Sequence, residues 1–436
     1  MEKLAGQKIL HALNERFETL EKGLNGSAKS DFHKTRKKAF EQLTAQGFPH
    51  PKHEEYKFTN FTKALEKNIN FETLSTPQPV KASDLSSLKI EGLDAFYLVF
   101  VNGEFQEQLS DPISEDGLSI RLLEEHQQEA EAHFGAHADY EEDAFVALNT
   151  AFAQKGWLIE VADKAVIEKP IFLHFIQDAR QGSYDEQLRN IVSVGKHAKL
   201  SLIEKVDTLG DEKCFSGIVN EIAVGENAHV EYFKIENDVP HAYHMANTHV
   251  SQQAHSTFKS NTVTLNGAMV RNNLTIKLQG EGGESYMNGL YLTKGKTHVD
   301  NHTVVDHQVP HCYSNELYKG IMDDQSKGVF NGKIFVRQDA QKTNAFQSNK
   351  NLLLTDKATV NTKPQLEIWA DDVQCSHGCT TGQLDPDALF YLRSRGIHKD
   401  RALAMMLQAF ASDVIEQMNN EAIQGYISDI ITKRLD

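Results

Sequence analysis

Apolar residues repeat with three different rhythms along the chain. Up to about residue 155 they recur every three or four positions, the spacing of one helix face. In KILHALNERFETLEKGL, Ile9, Leu13, Phe17, Leu20 and Leu24 share that face. SDFHKTRKKAFEQLTAQGFPHP begins at a serine suited to capping, Ser30, and stops at Gly47 and two prolines. EEDAFVALNTAFAQKG repeats the pattern with Phe145, Leu148 and Phe152 and ends at Gly156. These stretches predict a mainly helical N-terminal domain over residues 1–155.

The second rhythm has a period of two. WLIEV, KPIFLHF, AKLSLIEKV, HVEYFKIE, TFKSNTVTL, LTIKL, YMNGLYL, GVFNGKIFV and QLEIWADDV alternate apolar with polar residues, and turn residues bound each one. No amphipathic helix interrupts this texture between residues 157 and 380. An open sheet of so many strands must curl, split or close. VGKHAKLSL, VGENAHVEY and TDKATVNTK share a form: polar turn, alanine, then alternating strand. The first two start 30 residues apart. That weak repeat favours a solenoid, in which each coil covers the next. Short alternating strands also fit a sandwich, and the pattern alone leaves both open.

The third rhythm, from residue 384 to 436, is helical again. Asp385-Pro386 is a cap followed by proline at the first helical position, and Gly396 is a stop. Ala402, Met405, Met406, Ala409, Phe410 and Val414 form one stripe, and Ile423, Ile427 and Ile431 another. Three short helices cannot bury these stripes by themselves, so they must dock on something. The chain thus divides into 1–155, a β core over 156–383 and a C-terminal helical domain over 384–436.

Bulk composition narrows the functional classes. Hydrophobic residues make up 40% of the 436 and charged residues 24%, ordinary for a globular protein. A net charge of −16 argues against nucleic acid as the main partner. No run approaches the length of a membrane span, and MEKLAGQKILHALNERF lacks the apolar core of a secretory signal. Four unevenly spaced cysteines make no disulfide framework, so reduced thiols and a cytoplasmic location are expected. Residues 104–143 hold 13 acidic residues against Arg121 alone, which reads as solvated surface.

GLYLTKGKT, residues 289–297, imitates a phosphate loop but has one residue too many between its glycines and no following helix. His241, His244, His249, His298, His302, His307 and His311, with Cys312, are numerous enough to suggest metal, yet their spacing on strands scatters them. They are expected at exposed strand and turn positions. Asp300, Asp306 and His302 suggest an acid/base set without a partnered nucleophile.

VQCSHGCTTG is the sharper signal. If the strand before it continues, Cys375, His377 and Cys379 point to one face. Two thiols and an imidazole suit zinc, iron or copper, but three ligands leave a tetrahedral site open. A fourth ligand from elsewhere, a deliberately open site and a site shared with another chain all remain, beside plain core cysteines.

WADDVQCSHGCTTGQLDPDALFYLRSRGI with ALAMMLQAFASDVIEQM, and AQGFPHPKHEEYKFTN with FVALNTAFAQKGWLIEVADKAVIEKPIFLHF, closely resemble the SufB/SufD family of iron–sulfur cluster assembly scaffold proteins, on its SufD side. Some SufB sequences carry an N-terminal cysteine-rich motif, whereas here no cysteine precedes Cys214. The resemblance implies a right-handed parallel β-helix between helical N- and C-terminal parts. It implies a non-catalytic subunit that pairs with SufB through the ends of the two β-helices and binds SufC, a separate ATPase, through its C-terminal helices. It places the family's cysteine and histidine, here Cys375 and His377, near the seam; Cys379 goes with them, though many relatives have a small residue there. No cofactor is expected to stay bound; iron or a cluster would be shared transiently with SufB. A shared pairing edge also allows a homodimer when SufB is absent. For SufC docking the expected residues are Arg393, Arg395, Gly396 and Ile397 in the inter-helix turn, and Met405, Met406 and Phe410 on the stripe. Two other readings compete: a β-helix enzyme acting on polysaccharide, and a structural spacer that only recruits SufC.

Overall fold

A computed structural model describes residues 5–24, 30–72 and 78–434. The β texture folds as a solenoid flanked by helices. Successive long strands enter two sheets alternately, one of ten strands and one of nine. Within a sheet each of these strands pairs in parallel with the strand two later, so Glu284, Tyr313, Asn344 and Gln374 stack in register. A sandwich of antiparallel strands is thereby excluded. Within the two sheets as described, antiparallel pairing is confined to the first coils, where Phe96–Val101 meets Glu104–Phe105 and Leu118–Leu122 meets Trp157–Val161. Sheet structure therefore begins well before residue 156.

The repeated turns explain how the coils close. His197 and Asn227 have φ of 58° and 56°, a left-handed conformation that histidine and asparagine tolerate better than most residues. Their N–H groups donate to Glu226 and Ala254 of the next coil, each at 2.9 Å. The following residues, Ala198 and Ala228, are fully buried under the turn. This geometry is what VGKHAKLSL and VGENAHVEY encode. Alternation then sends Leu200, Leu202, Val230, Phe258 and Met287 between the sheets, where they join one long core.

The helical parts cover opposite faces. Leu13, Phe17, Phe40, Leu43, Phe145 and Phe152 pack together and reach Phe215, Tyr243 and Met245 on the nine-stranded sheet. Ser30 caps its helix as expected, accepting from the His33 N–H at 3.1 Å. At the other end Leu407, Ala411, Val414, Ile423, Ile427 and Ile431 pack on Phe172, Ile203, Phe233, Val263 and Ile321 of the ten-stranded sheet. The two C-terminal stripes thus find most of their partner within the chain.

Buried ion pairs fasten the N-terminal part. Arg189 donates to Glu221 at 2.7 Å, and the same carboxylate accepts from the N–H groups of Gly135, His137 and Ala138. Burial pushes the Glu221 carboxyl up, but Arg189 and these donors hold it below its ordinary value. Further along, Glu55 accepts from Lys333 at 2.5 Å and Asn331 at 3.0 Å and lies 3.3 Å from His302 Nδ1. Arg271 lies 4.0 Å over the Tyr56 ring and donates to Asp300 at 2.7 Å.

These contacts correct the reading of the histidines. His244, His298, His302 and His307 are buried, and only His311 of that group is fully exposed. His298 and His302 stand at outward positions covered by Thr59 and Glu55 of the N-terminal part, whereas His244 and His307 point into the trunk, so polarity did not mean exposure. Asp300 and His302 pair with each other at 2.9 Å within this anchor, and Asp306 is held by Arg337 at 2.7 Å. They form no acid/base set.

The Glu55 carboxyl is drawn down to about 2 by His302 and Lys333, against its desolvation. Its folded value lies below the ordinary 4.5, so its stabilisation is complete above pH 4.5 and is lost as pH falls towards 2. Glu55→Gln is expected to lower stability at pH 7 by about 1–2 kcal/mol, since the group is partly screened. Urea midpoints of variant and parent should converge on acidification through that window; a constant gap would show that the ion cluster is not the cause.

Candidate functional site

Thr359–Ile368 and Gln374–Gly382 are the terminal strands of the two sheets. Among the described residues no further coil covers them, so each presents a row of unpaired backbone groups. Register sets Cys375 beside Ala345, His377 beside Gln347 and Cys379 beside Asn349. Those three neighbours are buried and face the interior. Cys375, His377 and Cys379 therefore continue an inward-facing row that is sealed in earlier coils and open here. Cys375 is half-buried, and His377 and Cys379 are exposed.

Cys375 packs beside Ile334, Val336, Ala340, Ala345 and Ala370. Burial pushes its thiol up. Cys214 and Cys312 are buried inside the trunk, far along the chain from this rim. Cys214 lies 3.1 Å from the Thr208 hydroxyl, and burial pushes its thiol far up.

The alternation expected from sequence thus holds: all three donors share one face. They do not converge on a point. At about 3.3 Å per residue, the Cα atoms of Cys375 and Cys379 lie roughly 13 Å apart, beyond the reach of two cysteine sulfurs with bonds of about 2.3 Å to one ion. A single ion could reach His377 and one neighbouring thiolate at most; the third donor would serve a second ion or a bridged cluster. Among the described residues no group of three His, Cys, Asp or Glu is arranged to hold a metal. The donor types fit iron or zinc, and the count is that of a half-site.

The rim carries aromatic surface too. Trp369 is half exposed, stacks on Phe335 at 6.2 Å and sits under the Arg337 guanidinium at 5.3 Å. The C-terminal residues singled out from sequence divide. Arg393 is exposed in the last turn of the helix Pro386–Ser394 rather than in the inter-helix turn, Arg395 and Gly396 are exposed just after it, and Ile397 is half-buried. Met405 is exposed, whereas Met406 and Phe410 are half-buried. The Phe410 ring packs against the solenoid, with the Lys319 ammonium 4.7 Å from its centre. The helix Pro386–Ser394 has no buried residue, and its Phe390 and Tyr391 are 73% and 56% exposed. These two were missed. Their signal was ALFYL, an apolar run too wide for one helix face to cover.

Within the trunk Ser216 Oγ lies 2.6 Å from His244 Nδ1, and His244 Nε2 lies 2.9 Å from Asp238. This chain of residues is sealed beside a void of about 10 Å³. Room for a single water at most gives no path for a substrate, and the three residues serve as interior hydrogen bonding.

The sequence matches two family descriptions: "SUF system FeS cluster assembly, SufBD core domain" over residues 175–410, and "SufBD protein N-terminal region" over residues 7–173. Among similar proteins, the iron–sulfur cluster assembly protein SufD of Escherichia coli is 33% identical over 400 residues, covering 91% of each chain. An iron–sulfur cluster assembly SufBD family protein of Synechocystis is 31% identical over 431 residues, covering 94% of this chain and 93% of its own. SufD of Bacillus subtilis is 24% identical over 418 residues, covering 92% and 93%. No helix among the described residues is long and apolar enough to cross a membrane.

Burial ranks the four thiols. In the folded chain Cys379 is expected to react first with a maleimide, Cys375 more slowly, and Cys214 and Cys312 only on unfolding. Peptide mapping after timed labelling reads the order; rapid labelling of Cys214 would contradict the closed trunk.

Proposed function

This chain belongs to the SufBD family of the SUF system for iron–sulfur cluster assembly, and we propose that it serves there as a non-catalytic scaffold subunit in the cytoplasm. The observation that carries the proposal is the uncovered last coil, with Cys375, His377 and Cys379 on its inward row. In this reading a second solenoid, SufB, abuts the rim and supplies the missing ligands. Its strand edges pair with Thr359–Ile368 and Gln374–Gly382, and Trp369 and Ile368 are covered. Iron or a nascent cluster is cargo at the seam, held by one thiolate and His377 from this side. An imidazole is exchanged more readily than a second thiolate, which suits cargo that must leave. Without SufB, a second copy of this chain would meet the same rim.

The C-terminal helices are the docking place for the SufC ATPase. Phe390 and Tyr391 supply apolar area, and Arg393, Arg395, Gly396, Ile397 and Met405 lie beside them in the chain or on the next helix. Phe410 holds that helix to the trunk, with the half-buried Met406 one helical turn before it.

Two measurements test this reading. His377→Ala is at an exposed site and is expected to shift the melting of the chain little, while lowering cluster formation on the reconstituted complex roughly tenfold. Unchanged cluster yield in His377→Ala and Cys375→Ser alike would reduce the chain to a spacer. Phe390→Asp is expected to weaken SufC binding by about 2 kcal/mol or more, roughly thirtyfold, with SufB pairing intact. Titration calorimetry showing equal SufC affinity would move the docking site elsewhere.

A further inference from the structure

We infer that Gln347, held by Glu316, is a positioning residue that orients the ring of His377 from beneath the rim. The inference rests on His377 being the rim ligand proposed above, and it adds the groups that fix its geometry. Stacking in register places Glu316, Gln347 and His377 in one inward column, on three successive coils. Glu316 and Gln347 are both buried. The Gln347 Nε2 donates to Glu316 Oε2 at 2.7 Å, which fixes the amide and leaves its oxygen as the free end. That oxygen, Oε1, is buried and has no hydrogen-bond partner among the described residues. A buried acceptor left unmatched is destabilising, so its retention needs an explanation.

The neighbouring columns sharpen the point. Cys375 stands over Ala345, which offers no hydrogen bond. Cys379 stands over Asn349, whose Oδ1 already accepts from Asn351 at 2.7 Å and whose Nδ2 donates to the Tyr291 hydroxyl at 3.2 Å. Of the three rim residues only His377 stands over an unmatched acceptor, and only imidazole has a ring N–H to give it. Gly332 on the facing sheet keeps the space: any side chain there would collide with the Gln347 amide. A ring N–H given to Gln347 selects one neutral tautomer and turns the other ring nitrogen, with its lone pair, towards the open rim. Ligating histidines are commonly oriented in this way by an acceptor on their far nitrogen.

The test uses the full chain with ¹⁵N-labelled histidine, the His377 signals being assigned by their loss in His377→Ala. Metal-free protein is expected to show one neutral tautomer at His377, and the near-isosteric Gln347→Met to show a mixture. Glu316→Gln, which keeps an acceptor for Gln347, is expected to retain the single tautomer. With Co²⁺ alone as probe, Gln347→Met should lose roughly tenfold in affinity. A tautomer mixture at His377 in the unsubstituted chain, or an unchanged signature in folded Gln347→Met, would overturn the inference. A tautomer change without Co²⁺ binding in any of these proteins would support the column and instead remove the ligand reading of the rim.

Discussion

Stacking of parallel coils in register is the constraint on which the rest depends. A two-strand coil has an apolar inward face and two edges of backbone donors and acceptors, and it can satisfy them only against another coil. Each coil therefore solves this problem for the one before it and hands it to the one after. At the N-terminal end antiparallel strands and helices close the stack. At residues 359–382 nothing among the described residues does. The open rim is a direct consequence of how the trunk is stabilised, and whatever residues stand on it inherit both exposure and an inward orientation.

The same constraint governs the buried charge. Both sheets carry helices on their outer faces, so outward positions cannot be left to water. Glu221, with Arg189 and three backbone N–H groups, shows the solution: a desolvated carboxylate whose acceptor capacity is filled. Removing one partner from such a group costs far more than the pair contributes, because the other charge stays buried. The anchors are thus better read as fixing where the N-terminal domain sits than as a net source of stability.

Legibility from sequence followed exposure. The coil turns were readable because a left-handed polar residue followed by a buried alanine leaves a recurring trace, as at His197-Ala198 and Asn227-Ala228. Strands such as Tyr184–Val194, Ala242–Gln252 and His298–His307 were not. Polar residues stand on both faces of these strands, covered by the N-terminal part at His298 and His302 and sealed inside the trunk at His244, so the period-two contrast vanishes and their histidines resemble loop residues. The common face of Cys375, His377 and Cys379 followed from alternation alone. Their openness did not, since it depends on the absence of a next coil, and neither did Gln347, whose role exists only through register with a strand 30 residues away. Phe390 and Tyr391 escaped because a helix apolar on several sides has no stripe to recognise.

The half-filled character of the rim is a matter of geometry as much as of ligand count. An extended strand spaces its same-face donors too widely to enclose one ion, so this chain alone offers two adjacent donors to any single metal. Two donors would bind a metal only weakly and reversibly, and the raised thiol of Cys375 would weaken them further, because a proton must leave before sulfur can ligate. A partner that buries the rim changes both terms. It adds donors, and it places positive metal charge beside the thiol, which favours the thiolate. In the proposed assembly, affinity for cargo would be a property of the closed seam, and a motion that parts the two solenoids would lower it at once. The exposed end that such an assembly requires would then also be the end from which cargo departs.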